Sequence, residues 1–97
     1  MIQRIVKLVF KPEETLSFKA LFEQNKEKIR GFEGCLSLKL LQDQQDPCIF
    51  FTYSVWQSEE HLNAYRHSAL FAVVWKSTKS KFADRAEAWS TDLLDEL

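Results

Sequence analysis

Glycine is almost missing from this chain. Gly31 and Gly34 are the only two, and they stand three residues apart. No glycine-rich loop can therefore cradle a phosphate, and the sequence carries no flavin or nicotinamide motif. Proline is as sparse, at Pro12 and Pro47, and no Pro-rich or Ser-rich stretch separates one part of the chain from another. No apolar run approaches the roughly 18 residues of a membrane helix. The N-terminal stretch Ile2–Phe10 is strand-like and lacks the uninterrupted apolar region of a signal peptide, so a cytoplasmic protein is expected. Charge of one sign is missing too: 13 basic and 14 acidic side chains leave a formal charge of −1. Without a basic run, nucleic acid is not an expected partner.

Cysteine occurs twice, at Cys35 and Cys48. They fall on the two arms of one predicted hairpin. With the turn centred near Gln44 and Gln45, Cys48 is expected opposite Leu41, about 20 Å along the strand from Cys35. A disulfide requires Cα atoms within about 7 Å, so two free thiols are expected. Two thiols and two separated histidines do not make a ligand set, and no metal is expected.

Rings are what the chain has in excess. Eight Phe, three Trp and two Tyr occur among 97 residues. A single domain of this length, residues 1–97, buries only about 60–65% of its unfolded surface. So many rings imply a very aromatic core, a lined pocket, or an interface between subunits.

Element signals run in a clear order. Ile2 to Phe10 reads as a strand with apolar side chains on both faces. Pro12, Glu13 and Glu14 start a helix of about residues 13–30. Phe18, Leu21, Phe22, Asn25 and Ile29 form its buried face, and Gly31 is its expected left-handed stop. Cys35 to Gln42 is a second strand, with Leu36, Leu38 and Leu40 on one face. Asp43 to Pro47 is a polar turn, and Cys48 to Trp56 is a third, central strand. Ser58 and Ser68 each precede a helical stretch as caps. Arg85 to Thr91 is the fourth strand, carrying Trp89 as a candidate subunit-contact residue. The order is β-α-β-β-α-β, the ferredoxin-like α+β plan with a four-stranded antiparallel sheet.

Between Trp56 and Trp75 the sequence concentrates rings and titratable groups. His61 and Tyr65 are four apart and share a helix face. A histidine there can take a phenolic proton near neutral pH, and Tyr65 can hold the resulting oxygen. The plainer alternative makes Tyr65 a core ring and His61 a solvated side chain beside Glu60. His67 is a second candidate base if the chain breaks near Ser68; otherwise it is exposed beside Arg66. Trp56, Phe71 and Trp75 complete an apolar lining for a small hydrophobic or aromatic ligand, with core packing as the alternative.

These elements carry a family resemblance. Phe32, Gly34, Cys35 and Leu36 after the first helix, the Asp43-x-x-Asp46-Pro47 turn, Tyr53-Ser54-Val55-Trp56-x-Ser58, Leu62 and Ser68-x-x-Phe71 resemble the antibiotic biosynthesis monooxygenase family. The resemblance implies a homodimer whose two sheets pack face to face as a dimeric α+β barrel. It also implies cofactor-free oxidation of a small aromatic or polyketide-like substrate by O₂. Other members are small-metabolite isomerases, or have no assigned activity, and a non-catalytic stress-responsive binding module is the alternative of a different class. The haem-degrading branch has an Asn on the first strand, a Trp at the position of Tyr65 and a His at that of Trp75. None of the three is present, so haem degradation is not implied. Many members carry His where this chain has Tyr65, so His61 or His67 would have to substitute for it.

Overall fold

A computed structural model describes residues 1–97. The elements are β1 (Ile2–Val9), α1 (Thr15–Arg30), β2 (Cys35–Gln42), β3 (Ile49–Trp56), α2 (Glu59–Arg66), α3 (Ala69–Lys79) and β4 (Glu87–Asp92). A 3-10 turn over Pro12–Glu14 precedes α1. The four strands form one antiparallel sheet in the order β2-β3-β1-β4. This is the expected ferredoxin-like plan. β1 and β3 are the inner strands, which accounts for apolar side chains on both of their faces.

Strand registry decides which residues meet the helices. Leu8 pairs with Phe50, Arg4 with Ser54, and Ile2 with Trp56. The even-numbered residues of β1 and β3 therefore share the helix-facing side. There Phe10 stacks on Phe18 at 4.2 Å between ring centroids, and both rings pack edge-on against Phe50. Leu8 completes this buried cluster. Such ring pairs add about 0.5–1.5 kcal/mol each beyond their buried area. A second cluster of Cys35, Trp56 and Leu62 lies toward the other end of the sheet.

The opposite face has no helix on it. One row across it reads Lys39, Tyr53, Ile5 and Trp89 from β2 to β4. Beside that row, Tyr53 donates its hydroxyl hydrogen to Gln3 Oε1 at 2.6 Å, which leaves Gln3 buried on an otherwise open surface.

Several local expectations are corrected. The alternation of β2 breaks at a bulge between Cys35 and Ser37. One unpaired residue shifts the phase, so Cys35 turns inward and Leu36 is 43% exposed. The hairpin registry is set further along than expected: Gln42 pairs with Phe50, and Cys48 precedes β3 rather than facing Leu41. The reason lies in the turn, where Asp43 Oδ2 accepts from the amides of Gln45 and Asp46, and Asp46 Oδ1 accepts from that of Cys48. Both thiols are free. Helix α1 starts regularly only at Thr15, because Glu14 (φ −105°, ψ −3°) leaves the helical path.

Gly31 is not the left-handed stop. It caps α1 in a right-handed conformation (φ −82°), its amide donating to the Glu27 carbonyl. The left-handed residue is Gly34, at φ +88°. A Cβ added at Gly34 would lie 2.3 Å from His61 Cβ. Gly34→Ala is expected to lower stability by about 2–3 kcal/mol, combining backbone strain with that clash. Gly31→Ala should cost less than about 1 kcal/mol, since its φ suits any residue. Urea denaturation of both variants checks this, and equal losses would contradict the assignment.

Candidate functional site

A cavity of about 330 Å³ lies between the sheet and the helices. It occupies the space between the two core clusters. The sheet supplies Arg4, Val6 and Leu8 from β1, Leu38 from β2, Thr52, Ser54 and Trp56 from β3, and Ala86 and Ala88 from the fourth-strand region. Phe18, Phe22 and Ile29 of α1 close one side. The remaining wall is Leu62, Tyr65 and Arg66 of α2 with Phe71, Val74, Trp75 and Thr78 of α3.

Two serine caps place that helical wall. Ser58 Oγ accepts from the His61 amide at 3.2 Å and starts α2. Ser68 Oγ accepts from the Phe71 amide at 3.1 Å and starts α3. The chain restarts as a new helix at Ala69, so Phe71 and Trp75, four apart, return over the sheet. Their rings stack at 5.7 Å and 11°. Phe71 meets Tyr65 edge-on at 5.3 Å, and Tyr65 stacks on Trp56 at 4.9 Å and 23°. Trp56, Tyr65, Phe71 and Trp75 thus form one continuous wall, as the sequence spacing proposes.

The two histidines are elsewhere. His61 does not line the cavity; its Nδ1 lies 2.6 Å from Ser58 Oγ, and its side chain covers Gly34. It ties the start of α2 to the turn before β2. His67 caps the end of α2, exposed, with Nδ1 2.7 Å from the Asn63 carbonyl oxygen. A helix face shared with Tyr65 was sound spacing, but side-chain hydrogen bonding to the cap turns His61 outward.

The polar groups that do reach the wall are Arg4, Thr52, Ser54, Tyr65, Arg66 and Thr78. Thr78 donates to the Val74 carbonyl at 2.7 Å. Ser54 Oγ accepts from Trp56 Nε1 at 2.9 Å, which satisfies the buried indole. Sequence reading overlooked the two arginines. The signal for Arg4 was its place on the same strand face as Val6, Leu8 and Phe10; for Arg66 it was the four-residue spacing from Leu62. Burial lowers the Arg4 pKa, and the nearby charge of Arg66 lowers it further.

Tyr65 is the one ring on this wall with an ionisable group. Burial, with a smaller contribution from Cys35, pushes its hydroxyl up to about 12. It therefore stays protonated at neutral pH. No three His, Cys, Asp or Glu side chains converge as metal ligands would.

The model of the family described as antibiotic biosynthesis monooxygenase matches residues 1–76. The chain belongs to the antibiotic biosynthesis monooxygenase family. The match covers β1 through most of α3, and so all of the aromatic wall. A solved structure of an antibiotic biosynthesis monooxygenase superposes with a TM-score of 0.91 at 22% identity, over 98% of this chain and 100% of that one. A conserved protein from Methanosarcina mazei Go1 gives 0.88 at 22% identity, over 93% and 89%. Rv0793 from Mycobacterium tuberculosis gives 0.88 at 18% identity, over 98% and 96%. At these identities the likeness carries the fold. No curated protein matches the sequence. No helix of the chain is long and apolar enough to cross a membrane.

The raised Tyr65 pKa makes a pH prediction. Below pH 10 the phenol is protonated in the folded and the unfolded chain, and it adds nothing to the pH dependence. Above pH 10 the unfolded phenol ionises first, so folded stability falls until the folded group titrates near 12. Wild-type protein should lose stability over that interval more steeply than Tyr65→Phe, as read by denaturation at stepped pH. Parallel slopes for the two proteins would contradict the burial of this hydroxyl.

Proposed function

We propose that this protein is a cofactor-independent monooxygenase acting on a small aromatic or polyketide-like substrate. The observation that carries the proposal is the cavity: about 330 Å³, with fourteen of nineteen lining residues hydrophobic, the protonated Tyr65 among them. Cavities of this size and character suit one small ring system.

The chemistry asks little of the protein. A hydroquinone or anthrone loses a proton to give a delocalised anion. That anion passes one electron to O₂, and the radical pair combines to a peroxide. Protonation and loss of water leave a carbonyl, so substrate and O₂ become oxidised product and H₂O. Phe71 and Trp75 line the space for the rings, and Trp56 backs Tyr65 from beneath. Tyr65 donates a hydrogen bond to the substrate oxygen, favouring its ionised form. With neither histidine on the wall, the first proton passes to water.

The missing wall histidine also favours a second reading, a ligand-binding module without turnover. Oxygen uptake with a panel of anthrones and hydroquinones separates the two. Turnover is expected, with Tyr65→Phe slower by about tenfold or more, the weight of one hydrogen bond to a charged oxygen, and with little change in melting temperature. His61→Ala and His67→Ala should retain turnover. No oxygen uptake, together with a melting temperature raised by the same compounds, would support the binding module.

We also propose that the open sheet face joins a second copy of the chain. Its support is the row of Tyr53, Ile5 and Trp89, with Trp89 44% exposed, on a face that no helix covers. Patches of this kind are seldom left to water. Light scattering at micromolar concentration should give about twice the 11.4 kDa chain mass. Ile5→Glu, at the centre of the row, should return the mass to one chain. A wild-type monomer would overturn the proposal.

A further inference from the structure

We propose that the cavity selects an aromatic ligand bearing a carboxylate, held by Arg4 and Arg66. This rests on the reading that the cavity takes a small aromatic ligand, and adds the group by which that ligand is chosen.

The first observation is the sign of the wall. Fourteen acidic residues occur in the chain, yet none lines the cavity, whereas two arginines do. No amide or imidazole lines it either, so apart from the hydroxyls every polar side chain there is a cation. The only ion pair in the chain is Lys26 with Glu23, on the outer surface of α1. Neither cavity arginine is paired.

The second observation is the seat of Arg4. It lies between β3 and β4, opposite Ser54 on one side and Ser90 on the other. This makes a polar row across an otherwise apolar sheet face. Arg4 Nη1 donates to Ser90 Oγ at 2.9 Å, its one side-chain bond. A guanidinium has five N–H donors in a planar fork, so most of them remain open to a ligand. Ser54 Oγ already accepts from Trp56, which leaves its own hydrogen to donate. The nearest carboxylate by registry is Asp92, opposite Ile2, and it makes no ion pair with Arg4.

Holding two guanidiniums around one apolar space is unfavourable unless something negative sits between them. Each remains charged at any ordinary pH. Burial penalises Arg4, and Arg66 penalises it again. A bound carboxylate reverses both penalties through charge-assisted, two-pronged hydrogen bonds. Along β1 the cavity runs from Arg4 past Val6 to Leu8, a distance of about 13 Å at strand spacing. A ligand with a ring system at the Val6–Leu8 end and a carboxylate at the Arg4 end matches that layout.

The experiment compares 2-naphthoate with 2-naphthamide, which have the same rings and nearly the same shape, by titration calorimetry. The carboxylate should bind about tenfold tighter or more, the weight of one charge-assisted hydrogen bond. Arg66 is exposed, so its variants should fold. Arg66→Gln should remove much of that preference, and Arg66→Glu should reverse it. Arg4→Gln should act in the same direction. Equal affinities in the wild type, or a preference that survives Arg66→Glu and Arg4→Gln, would overturn the anion seat and leave the aromatic cavity standing. Failure of both compounds to bind would overturn the cavity reading and this proposal together.

Discussion

Ten aromatic rings touch in one unbroken chain through this structure. From Phe32 the contacts pass to Trp56 and Tyr65, then Phe71, Trp75 and Phe82. They continue to Phe10, Phe18, Phe50 and Phe22. Each ring is rigid and large, so the chain props three helices away from the sheet while still holding them to it. A core of leucines and valines over the same backbone would collapse further inward. Cavity and stability thus come from the same contacts, and the wall is as firm as the core because it is continuous with it.

The three remaining rings, Phe51, Tyr53 and Trp89, all lie on the other side of the sheet. Registry alone sorts them: Tyr53 and Trp89 flank Ile5, and Phe51 faces Lys7. The sheet therefore separates two apolar systems that share inner strands but no side chains. One surrounds a space; the other is a surface. The aromatic excess that was so conspicuous in composition is divided between these two roles.

Most of the fold was legible because it rests on local rules. β2 runs from Cys35 to Gln42 as alternation suggested. Ser58 and Ser68 cap their helices as their positions before helical stretches implied. Of the four wall rings, Tyr65, Phe71 and Trp75 lie on α2 and α3 and Trp56 ends β3, all within one twenty-residue stretch. What escaped were features settled by contacts distant in sequence. The bulge takes Leu36 out of the face it was expected to share with Leu38 and Leu40 and turns Cys35 inward. Gly34, not Gly31, takes the positive φ, and His61, 27 positions later on α2, fills the space where a Cβ would go. His61 itself was misjudged for the same reason, since a helical wheel gives its face but not its partner. Arg4 was hidden in a strand whose apolar neighbours drew the eye, and only registry with Ser54 and Ser90 reveals its polar row.

The fourth-strand side of the cavity differs from the others in what it presents. Ala86 and Ala88 offer one methyl group each, and every residue of β4 is exposed. In a filled core, a larger side chain forces its neighbours aside at a cost of about 1–3 kcal/mol. At exposed Ala88 it would grow toward the cavity, whereas Ala86 already packs against the Leu8, Phe10, Phe18 and Phe50 cluster. The capacity of the cavity is therefore adjustable at Ala88 with little bearing on whether the chain folds. Selection can narrow or reshape what is admitted by changes along one strand, and the scaffold that holds the rings need not change.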